Sequence, residues 1–169
     1  VDEAYAEFVE GGATALSLLP SHPNLVIART FSKAYALAGL RVGFAVADPG
    51  LIAVVERVRE SFNVNCMGLA AAEAALGDVE HLQWGLARNA EERAALADAL
   101  ASRGWFVHPS QTNFLLVEFG DRTQAIEAAL LERGVVPRPM GGYGLPDCLR
   151  ITVGDRDENR RLLTVLDEI

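Results

Sequence analysis

The stretch ARTFSKAYALAGLRVGF, residues 28–44, contains Lys33, the only lysine in a chain whose other fourteen basic residues are arginines. Two short apolar runs rich in β-branched residues, 25–30 and 42–47, flank the lysine, and each predicts a buried strand. Lys33 therefore follows a strand almost directly. Because open α/β sheets bind ligands beyond the carboxyl ends of their strands, this position predicts a ligand site.

Composition restricts the partners of the protein. The 169 residues are 50% hydrophobic and carry a formal net charge of −8, whereas a surface that binds nucleic acid or anionic lipid is basic. Arg41 and Asp48 interrupt the most hydrophobic region, so no membrane span is predicted. Cys66 and Cys148 lie far apart and outside any metal-binding spacing. We therefore expect free thiols in a reducing, cytoplasmic setting and no metal site.

After the second predicted strand the sequence indicates helices. Asp48 and Pro49 suit the cap and first position of a helix that ends near Arg59. Its buried face is predicted from Leu51, Ile52, Val55 and Val58. Two further helices are predicted over 66–76 and 79–103, and the longer one carries Leu82, Leu86, Leu96 and Leu100.

Beyond Gly104, which suits the position that follows a helix end, shorter elements are predicted. WFVHPSQTNFLLVEF indicates two strands and a turn, VVPRPM an extended segment, and CLRITV another strand. Asp121 and Gln124 resemble a capping box for a helix that ends at Gly134.

The last predicted helix begins with Asp155 and Glu158. Its inner side is expected to carry Leu162, Leu163, Leu166 and Ile169.

The chain thus divides into part of an α/β layer over 1–78, a long connecting helix over 79–103 and a compact α+β unit over 104–169.

Lysine can carry out a reaction that arginine cannot. Its amine can lose a proton and form a Schiff base with an aldehyde, whereas arginine keeps its proton in proteins. The hydroxyls of Thr30 and Ser32 and the guanidinium of Arg41 lie near Lys33 in the sequence and together suit a phosphate group. Two alternatives remain open: Lys33 is a surface residue in a chain biased towards arginine codons, and Arg41 pairs with a surface carboxylate.

Asp2 and Tyr5 lie about thirty residues before Lys33, just after a probable strand end. A buried carboxylate at Asp2 would hold a ring nitrogen protonated, and Tyr5 would hydrogen-bond a phenolic oxygen. With the lysine and the phosphate-binding groups, these are the partners that pyridoxal phosphate requires. Singly, Asp2 could equally cap a turn and Tyr5 pack in the core, but their joint occurrence at this spacing favours the cofactor site.

These motifs resemble the class I/II, fold type I aminotransferases. VDEAY and RTFSKAYALAGLRVGF match that family in register at Asp2, Tyr5, Ser32, Lys33 and Arg41. The C-terminal VVPRPMGGYGLPDCLRITVGDRDEN resembles the histidinol-phosphate aminotransferases within it, and the resemblance extends over all 169 residues. It implies an α/β fold of type I, with 1–78 part of the α/β/α large domain that binds pyridoxal phosphate and 104–169 the C-terminal α+β small domain.

The resemblance also implies roles for individual residues. The lysine that matches Lys33 forms the imine with the cofactor, the aspartate that matches Asp2 pairs with the pyridine nitrogen, and the tyrosine that matches Tyr5 contacts the 3′ oxygen. The residues that match the phosphate site are Thr30, Ser32 and Arg41.

The implied reaction transfers an amino group from histidinol phosphate to 2-oxoglutarate, giving imidazole acetol phosphate and glutamate. Arg150, in LRITVG, matches the arginine that receives the anionic end of the substrate. Arg138 is a further candidate, and its alternative is a solvated charge beside prolines. An aromatic amino-acid aminotransferase, a phosphothreonine decarboxylase relative and a truncated non-catalytic fragment remain open as other functions.

Complete family members have a further N-terminal portion. It supplies a loop that closes on the phosphate, an aromatic ring that stacks on the cofactor, and a tyrosine donated across a homodimer. The chain begins at Val1 with no room for these parts. We therefore expect the second half of an enzyme that is a cytoplasmic homodimer at full length and poorly active as this chain alone.

Overall fold

The structure, a computed structural model, describes residues 1–169. The chain forms two compact units, Val1–Leu86 and Ala87–Ile169, and the boundary between them falls within one continuous helix. The predicted limits of a large-domain part, a connecting helix and a small domain stay a prediction. No helix combines the length and the apolar character needed to cross a membrane.

The elements follow in a regular order. The helices are α1 (Pro49–Glu56), α2 (Cys66–Gly77), α3 (Val79–Ser102), α4 (Thr123–Glu132) and α5 (Arg156–Asp167). The strands are β1 (Val26–Thr30), β2 (Gly43–Ala47), β3 (Phe106–Val107), β4 (Phe114–Glu118), β5 (Arg138–Pro139) and β6 (Cys148–Thr152). Short 3-10 turns occupy Ala6–Phe8, Ala15–Ser21, Ala38–Leu40, Gly120–Arg122 and Gly141–Tyr143. Every predicted strand is confirmed, and so are the helices predicted over 66–76 and 79–103. The expected burial of the second strand is wrong, because no residue of β2 is buried.

In the first unit, β1 and β2 form an antiparallel pair in which Thr30 lies opposite Gly43. A side chain at Gly43 would lie 2.9 Å from the carbonyl oxygen of Arg29, so the close approach of the strands requires glycine. On the other edge of β1, Asp2 forms a parallel bridge with Ala28. The N-terminal segment therefore lies beside β1, the strand that leads into the loop carrying the lysine.

Helix α2 supports that loop. A small apolar core lies between the helix and the loop, and its buried residues are Phe31, Val42 and Ala72. A Cβ at Gly68 would lie 2.7 Å from a methyl carbon of Val42 and 3.1 Å from the carbonyl oxygen of Leu40, so the helix and the loop are in close contact there. Asn65 accepts a hydrogen bond from the Gly68 N–H at 2.7 Å and donates one to the Leu40 carbonyl at 2.9 Å. The amide of Asn65 thus caps α2 and holds the loop with the same side chain.

The second unit is built on an antiparallel sheet with the strand order β3-β4-β6-β5. Alternate residues of its two central strands face α3, α4 and α5, as the two-residue period of a strand requires. The buried core consists of Leu96, Leu100, Leu115, Val117, Phe119, Ile126, Leu130, Leu149, Ile151, Leu162 and Val165. The intervening residues of β4 and β6 lie on the opposite face of the sheet.

Three of the predicted helix ends are confirmed. Gly104 follows α3 with φ +85°, and the Trp105 N–H donates to the Leu100 carbonyl, as in a Schellman motif. Gly134 follows α4 with φ +75°. At the start of α5, the Asp155 carboxylate and the Glu158 side chain form a complete capping box.

Three helices differ from the sequence prediction. Asp121 does not cap α4, because it lies inside the 3-10 turn that precedes the helix, and no side chain caps α4. Ile169 lies beyond the end of α5, and Val165 is buried on its inner side instead. Helix α1 ends at Glu56 rather than near Arg59. Val58 follows its last residue and is 81% exposed, and Val55 is 49% exposed. No residue of α1 is buried, so the expected buried face is wrong.

Candidate active site

The structure brings Lys33 and Tyr5 together. Lys33 lies in the turn that follows β1, where its carbonyl accepts a hydrogen bond from the Ala36 N–H at 2.9 Å. Its ammonium nitrogen Nζ lies 5.3 Å from the centroid of the Tyr5 ring. Lys33 is half-buried and forms no ion pair with a carboxylate. Its amine is therefore free of a structural salt bridge and remains available to a ligand.

Thr30, Ser32 and Arg41 form one polar cluster. The Thr30 hydroxyl accepts a hydrogen bond from the Ser32 N–H at 3.0 Å and donates one to the Val42 carbonyl at 3.4 Å. Arg41 donates to the Ala38 carbonyl at 2.9 Å and lies 3.5 Å from the Ser32 hydroxyl oxygen. No carboxylate pairs with its guanidinium, so the alternative of a surface ion pair is wrong. The cluster presents two hydroxyls and a cation, which suit a phosphate.

Arg41 reaches this position through an unusual backbone conformation. Its φ of 57° and ψ of 52° lie in the left-handed region, which residues with a Cβ seldom adopt. The conformation ends the short turn Ala38–Leu40 and sends the chain into β2. The loop thus places the guanidinium beside Ser32, and the left-handed backbone at Arg41 makes this conformation energetically unfavourable.

Asp2 lies at the edge of β1, where it is exposed rather than buried as expected from the sequence. One of its oxygens, Oδ1, accepts a hydrogen bond from the Ala4 N–H at 2.9 Å, which is the turn-capping role that the sequence left open. The other oxygen accepts no hydrogen bond from the chain. Asp2 and Tyr5 also line an open cavity of about 630 Å³ in the first unit. Capping the turn fixes the carboxylate and leaves one oxygen for a ligand.

Next to Asp2 lies an ion pair between the buried Glu3 and the half-buried Arg29, which was not predicted from the sequence. Arg29 donates to the Glu3 carboxylate at 2.7 and 3.0 Å. The same carboxylate accepts hydrogen bonds from the Thr14 hydroxyl at 3.0 Å and the Ala15 N–H at 2.6 Å. Burial by itself raises the pKa of Glu3, but the hydrogen bonds from Ala15, Arg29 and Thr14 outweigh it and hold this pKa below its ordinary value.

A signal for this pair was present in the sequence. Arg29 is a charged residue inside an otherwise apolar strand, and such a residue needs a partner when it is buried. Two neighbouring carboxylates, Asp2 and Glu3, could pair with Arg29, and their positions in the sequence alone do not show which of them does. The pairing of residues 1–3 with β1 decides in favour of Glu3.

The two candidate substrate arginines lie in the second unit, opposite each other on β5 and β6. The guanidinium of Arg150 lies 5.0 Å from the centroid of the Phe114 ring, and its Nε is buried without a hydrogen-bond partner. Arg138 is exposed, and it donates to the Tyr143 hydroxyl at 2.9 Å. Arg150 therefore has an unused buried donor, whereas Arg138 is held by a neighbouring side chain.

Comparison with known proteins identifies the family of the chain. A family model described as aminotransferase class I and II matches residues 1–166. The chain is 48% identical to a histidinol-phosphate aminotransferase of an Anaeromyxobacter species, over all of this chain and 47% of that protein. It is 45% identical to histidinol-phosphate aminotransferase 2 of Ralstonia nicotianae, over 99% of this chain and 46% of that protein.

Solved structures of aminotransferases resemble this chain in fold. The crystal structure of histidinol-phosphate aminotransferase from Sinorhizobium meliloti, in complex with pyridoxal-5'-phosphate, matches with a TM-score of 0.91 and 34% identity. The match covers 99% of this chain and 47% of that one. It confirms the predicted α/β fold of type I. The chain spans about half the length of the curated relatives it matches. With a family model that covers nearly all of its residues, the chain belongs to the class I and II aminotransferases.

Proposed function

We propose that this chain is the lysine-bearing part of an aminotransferase that uses pyridoxal phosphate. The enzyme transfers the amino group of histidinol phosphate to 2-oxoglutarate, giving imidazole acetol phosphate and glutamate. One observation carries the proposal: the only lysine follows β1, beside the Tyr5 ring and next to the cluster of Thr30, Ser32 and Arg41. The names of the relatives support the choice of substrate.

The residues fit pyridoxal phosphate by their chemistry. The Lys33 amine has no carboxylate partner, and Arg41 with two hydroxyls offers a cationic cluster to a phosphate. The second oxygen of Asp2 suits a protonated ring nitrogen, and the Tyr5 hydroxyl suits the ring oxygen. When bound, the cofactor supplies an electron sink for the negative charge that develops at the substrate Cα.

The protein residues hold the reacting groups and move protons. Lys33 would hold the cofactor through its amine and, when that amine is free, would accept the proton from the substrate Cα as a general base. Asp2 would pair with the ring nitrogen through the oxygen that the Ala4 N–H leaves free. Arg41 and Ser32 would hold the phosphate.

Arg150 is proposed to bind the anionic end of each substrate. Its buried Nε lacks a partner, and a buried donor without a partner costs about 1–3 kcal/mol, which an anionic ligand would recover. The planar fork of a guanidinium suits both a phosphate and a carboxylate. One arginine can therefore serve histidinol phosphate in one half-reaction and 2-oxoglutarate in the other, with Arg138 as a second contact.

The assembled enzyme is proposed to be a cytoplasmic homodimer that acts on small molecules only. An aromatic amino-acid aminotransferase of the same family is the nearest alternative. A panel of amino donors tested on a full-length protein that contains this chain distinguishes the two. We expect histidinol phosphate to give the highest kcat/KM, and a preference for phenylalanine or tyrosine would assign the alternative function.

The role of Lys33 is tested by trapping. Borohydride reduction of the full-length protein with pyridoxal phosphate, followed by peptide mapping, is expected to leave one pyridoxyl group, on Lys33. The Lys33→Arg variant keeps the charge but cannot form the imine, so it should lose the adduct and turnover. An adduct confined to another amine, with Lys33 unmodified in an active enzyme, would overturn the proposal.

A further inference from the structure

Strand pairing in the second unit assembles a group of side chains that has no part in the proposed reaction. Glu118, at the end of β4, lies opposite Cys148 on β6. His108 follows β3, and its N–H donates to the Leu116 carbonyl at 2.9 Å, which continues the pairing of β3 with β4. By the alternation of side chains along strands, all three residues lie on the face of the sheet away from the helices.

The three side chains present an imidazole, a carboxylate and a thiol to one point. One ligand atom from each lies within 4.8 Å of the other two. The His108 Nε2 and the Glu118 Oε1 are 2.8 Å apart. In a tetrahedral zinc site, two ligand atoms lie about 3.3–3.6 Å apart, given bonds of roughly 2.0–2.3 Å. A shift of about 1 Å in each side chain would therefore produce the spacing that zinc requires.

We propose that His108, Glu118 and Cys148 form a zinc-binding site that joins β3, β4 and β6. This ligand set combines nitrogen, oxygen and sulfur, which Zn²⁺ accepts together. Cys148 is buried, while His108 is half-buried and Glu118 exposed, so the ion is reached from solvent and keeps water as its fourth ligand. When the sulfur–zinc bond forms, the thiol proton passes to solvent.

The backbone around the cluster is already fixed. The Cys148 N–H donates to the Leu145 carbonyl, and its carbonyl accepts from the Met140 N–H. The Glu118 backbone is held by its register with both neighbouring strands. Only side-chain rotamers need to change on binding, so little ordering opposes it. A zinc ion here would link strands that are far apart in the sequence, which is why linear spacing gave no sign of it.

A hydrogen bond between the His108 ring and the Glu118 carboxylate accounts for two of the three residues without a metal. It does not involve Cys148. Zinc binding must depend on the thiol as well, whereas the hydrogen bond alone does not, so loss of the thiol distinguishes the two cases.

The experiment titrates Zn²⁺ and, as an optical probe, Co²⁺ into the chain freed of metal. We expect one ion per chain and a thiolate-to-cobalt charge-transfer band. Zinc at 100 times its dissociation constant should raise the thermal midpoint of the second unit by about 10–20 °C. Glu118→Gln and Cys148→Ala should each weaken binding at least about 10-fold, since even the loss of an outer hydrogen-bond partner to a ligand costs that much.

Two variants outside the cluster are the controls. Cys66→Ser removes the other, exposed thiol, and His81→Gln removes a histidine that stacks on Trp84; neither should alter zinc binding. Glu118→Gln keeps the shape of an exposed side chain, so its fold, checked by circular dichroism, should be unchanged. Zinc binding that is absent, or that survives both Glu118→Gln and Cys148→Ala, would overturn the proposal.

Discussion

Arg150 is the one residue with a buried side-chain nitrogen or oxygen that has no hydrogen-bond partner. Its guanidinium is positioned by the Phe114 ring, which orients a cation without using its N–H groups. The residue is therefore fixed in place while its donors remain available. This combination is typical of a residue that recognises an anionic ligand rather than one that stabilises the fold.

We predict that Arg150→Lys lowers kcat/KM for both substrates by roughly 10- to 150-fold in the full-length enzyme, because a hydrogen bond to a charged group is worth about 1.5–3 kcal/mol. The spectrum of bound pyridoxal phosphate should not change. Arg122→Lys is the matched control, since Arg122 also lies over an aromatic ring, Trp105, but is exposed. Release of the cofactor from Arg150→Lys would place Arg150 in the cofactor site instead.

At the scale of residues, the sequence predicted the polar groups but not all of their partners. Lys33 and Tyr5 were placed in one site, and they lie in contact. Glu3 and Arg29 were not singled out, because neighbouring carboxylates are equivalent until the strand register is known. The unused donor of Arg150 is a property of packing, which no pattern of residue types contains.

Among the elements, the contact between the N-terminal segment and β1 depends on the ion pair of Glu3 and Arg29. The carboxylate accepts hydrogen bonds from Arg29, Thr14 and Ala15, so it connects three parts of the first unit. The folded pKa of Glu3 lies below its ordinary value, so the folded state favours the charged form. The stabilisation is present above the unfolded pKa and is lost as pH falls through the folded pKa.

We predict that Glu3→Gln lowers the free energy of unfolding by about 1.5–3 kcal/mol near pH 7. The difference from the unmodified chain should shrink as pH falls below the ordinary pKa of a glutamate and through the lowered folded pKa of Glu3. Urea unfolding between pH 3 and 7 measures both effects. Glu56→Gln, which removes an exposed pair with Arg59, is the control and should cost at most about 1 kcal/mol. A deficit that is constant over this pH range would contradict the prediction.

Element boundaries were predictable where one side chain determines them. Asp155 caps α5 and Gly104 ends α3, as their residue types indicate. Asp121 has the residue type of a cap and a suitable spacing, yet the chain makes a 3-10 turn there before α4 begins. Gly120, with φ +60°, permits that 3-10 turn. A capping pattern in the sequence does not show that the chain adopts a 3-10 turn there instead of starting the helix.

On the scale of the whole molecule, the two units differ in how they bury apolar surface. The second unit has a continuous core between one sheet face and its helices. The first unit has a small core and leaves large apolar side chains in solvent, among them Phe62, Met67 and Val58, which are 97%, 70% and 81% exposed. Exposed apolar surface of this kind often marks a site that contacts another part of a structure or a partner.

We predict that the 169-residue chain alone binds pyridoxal phosphate more weakly than a full-length relative, by about three to six powers of ten. The reason is that groups outside this chain are expected to stack on the ring and close over the phosphate. The chain should also aggregate and bind apolar dyes through its first unit. Absorbance titration and light scattering beside a full-length relative measure both effects. Comparable affinity and transamination by the short chain would contradict the prediction.

The left-handed backbone at Arg41 has an evolutionary consequence. An L-residue in this conformation costs about 1–2 kcal/mol, and glycine would remove the cost. If Arg41 binds the phosphate as proposed, selection for stability and selection for catalysis act in opposite directions at this position. In a gene copy whose product no longer needs the phosphate contact, a change from arginine to glycine at position 41 is expected to leave folding intact or improve it.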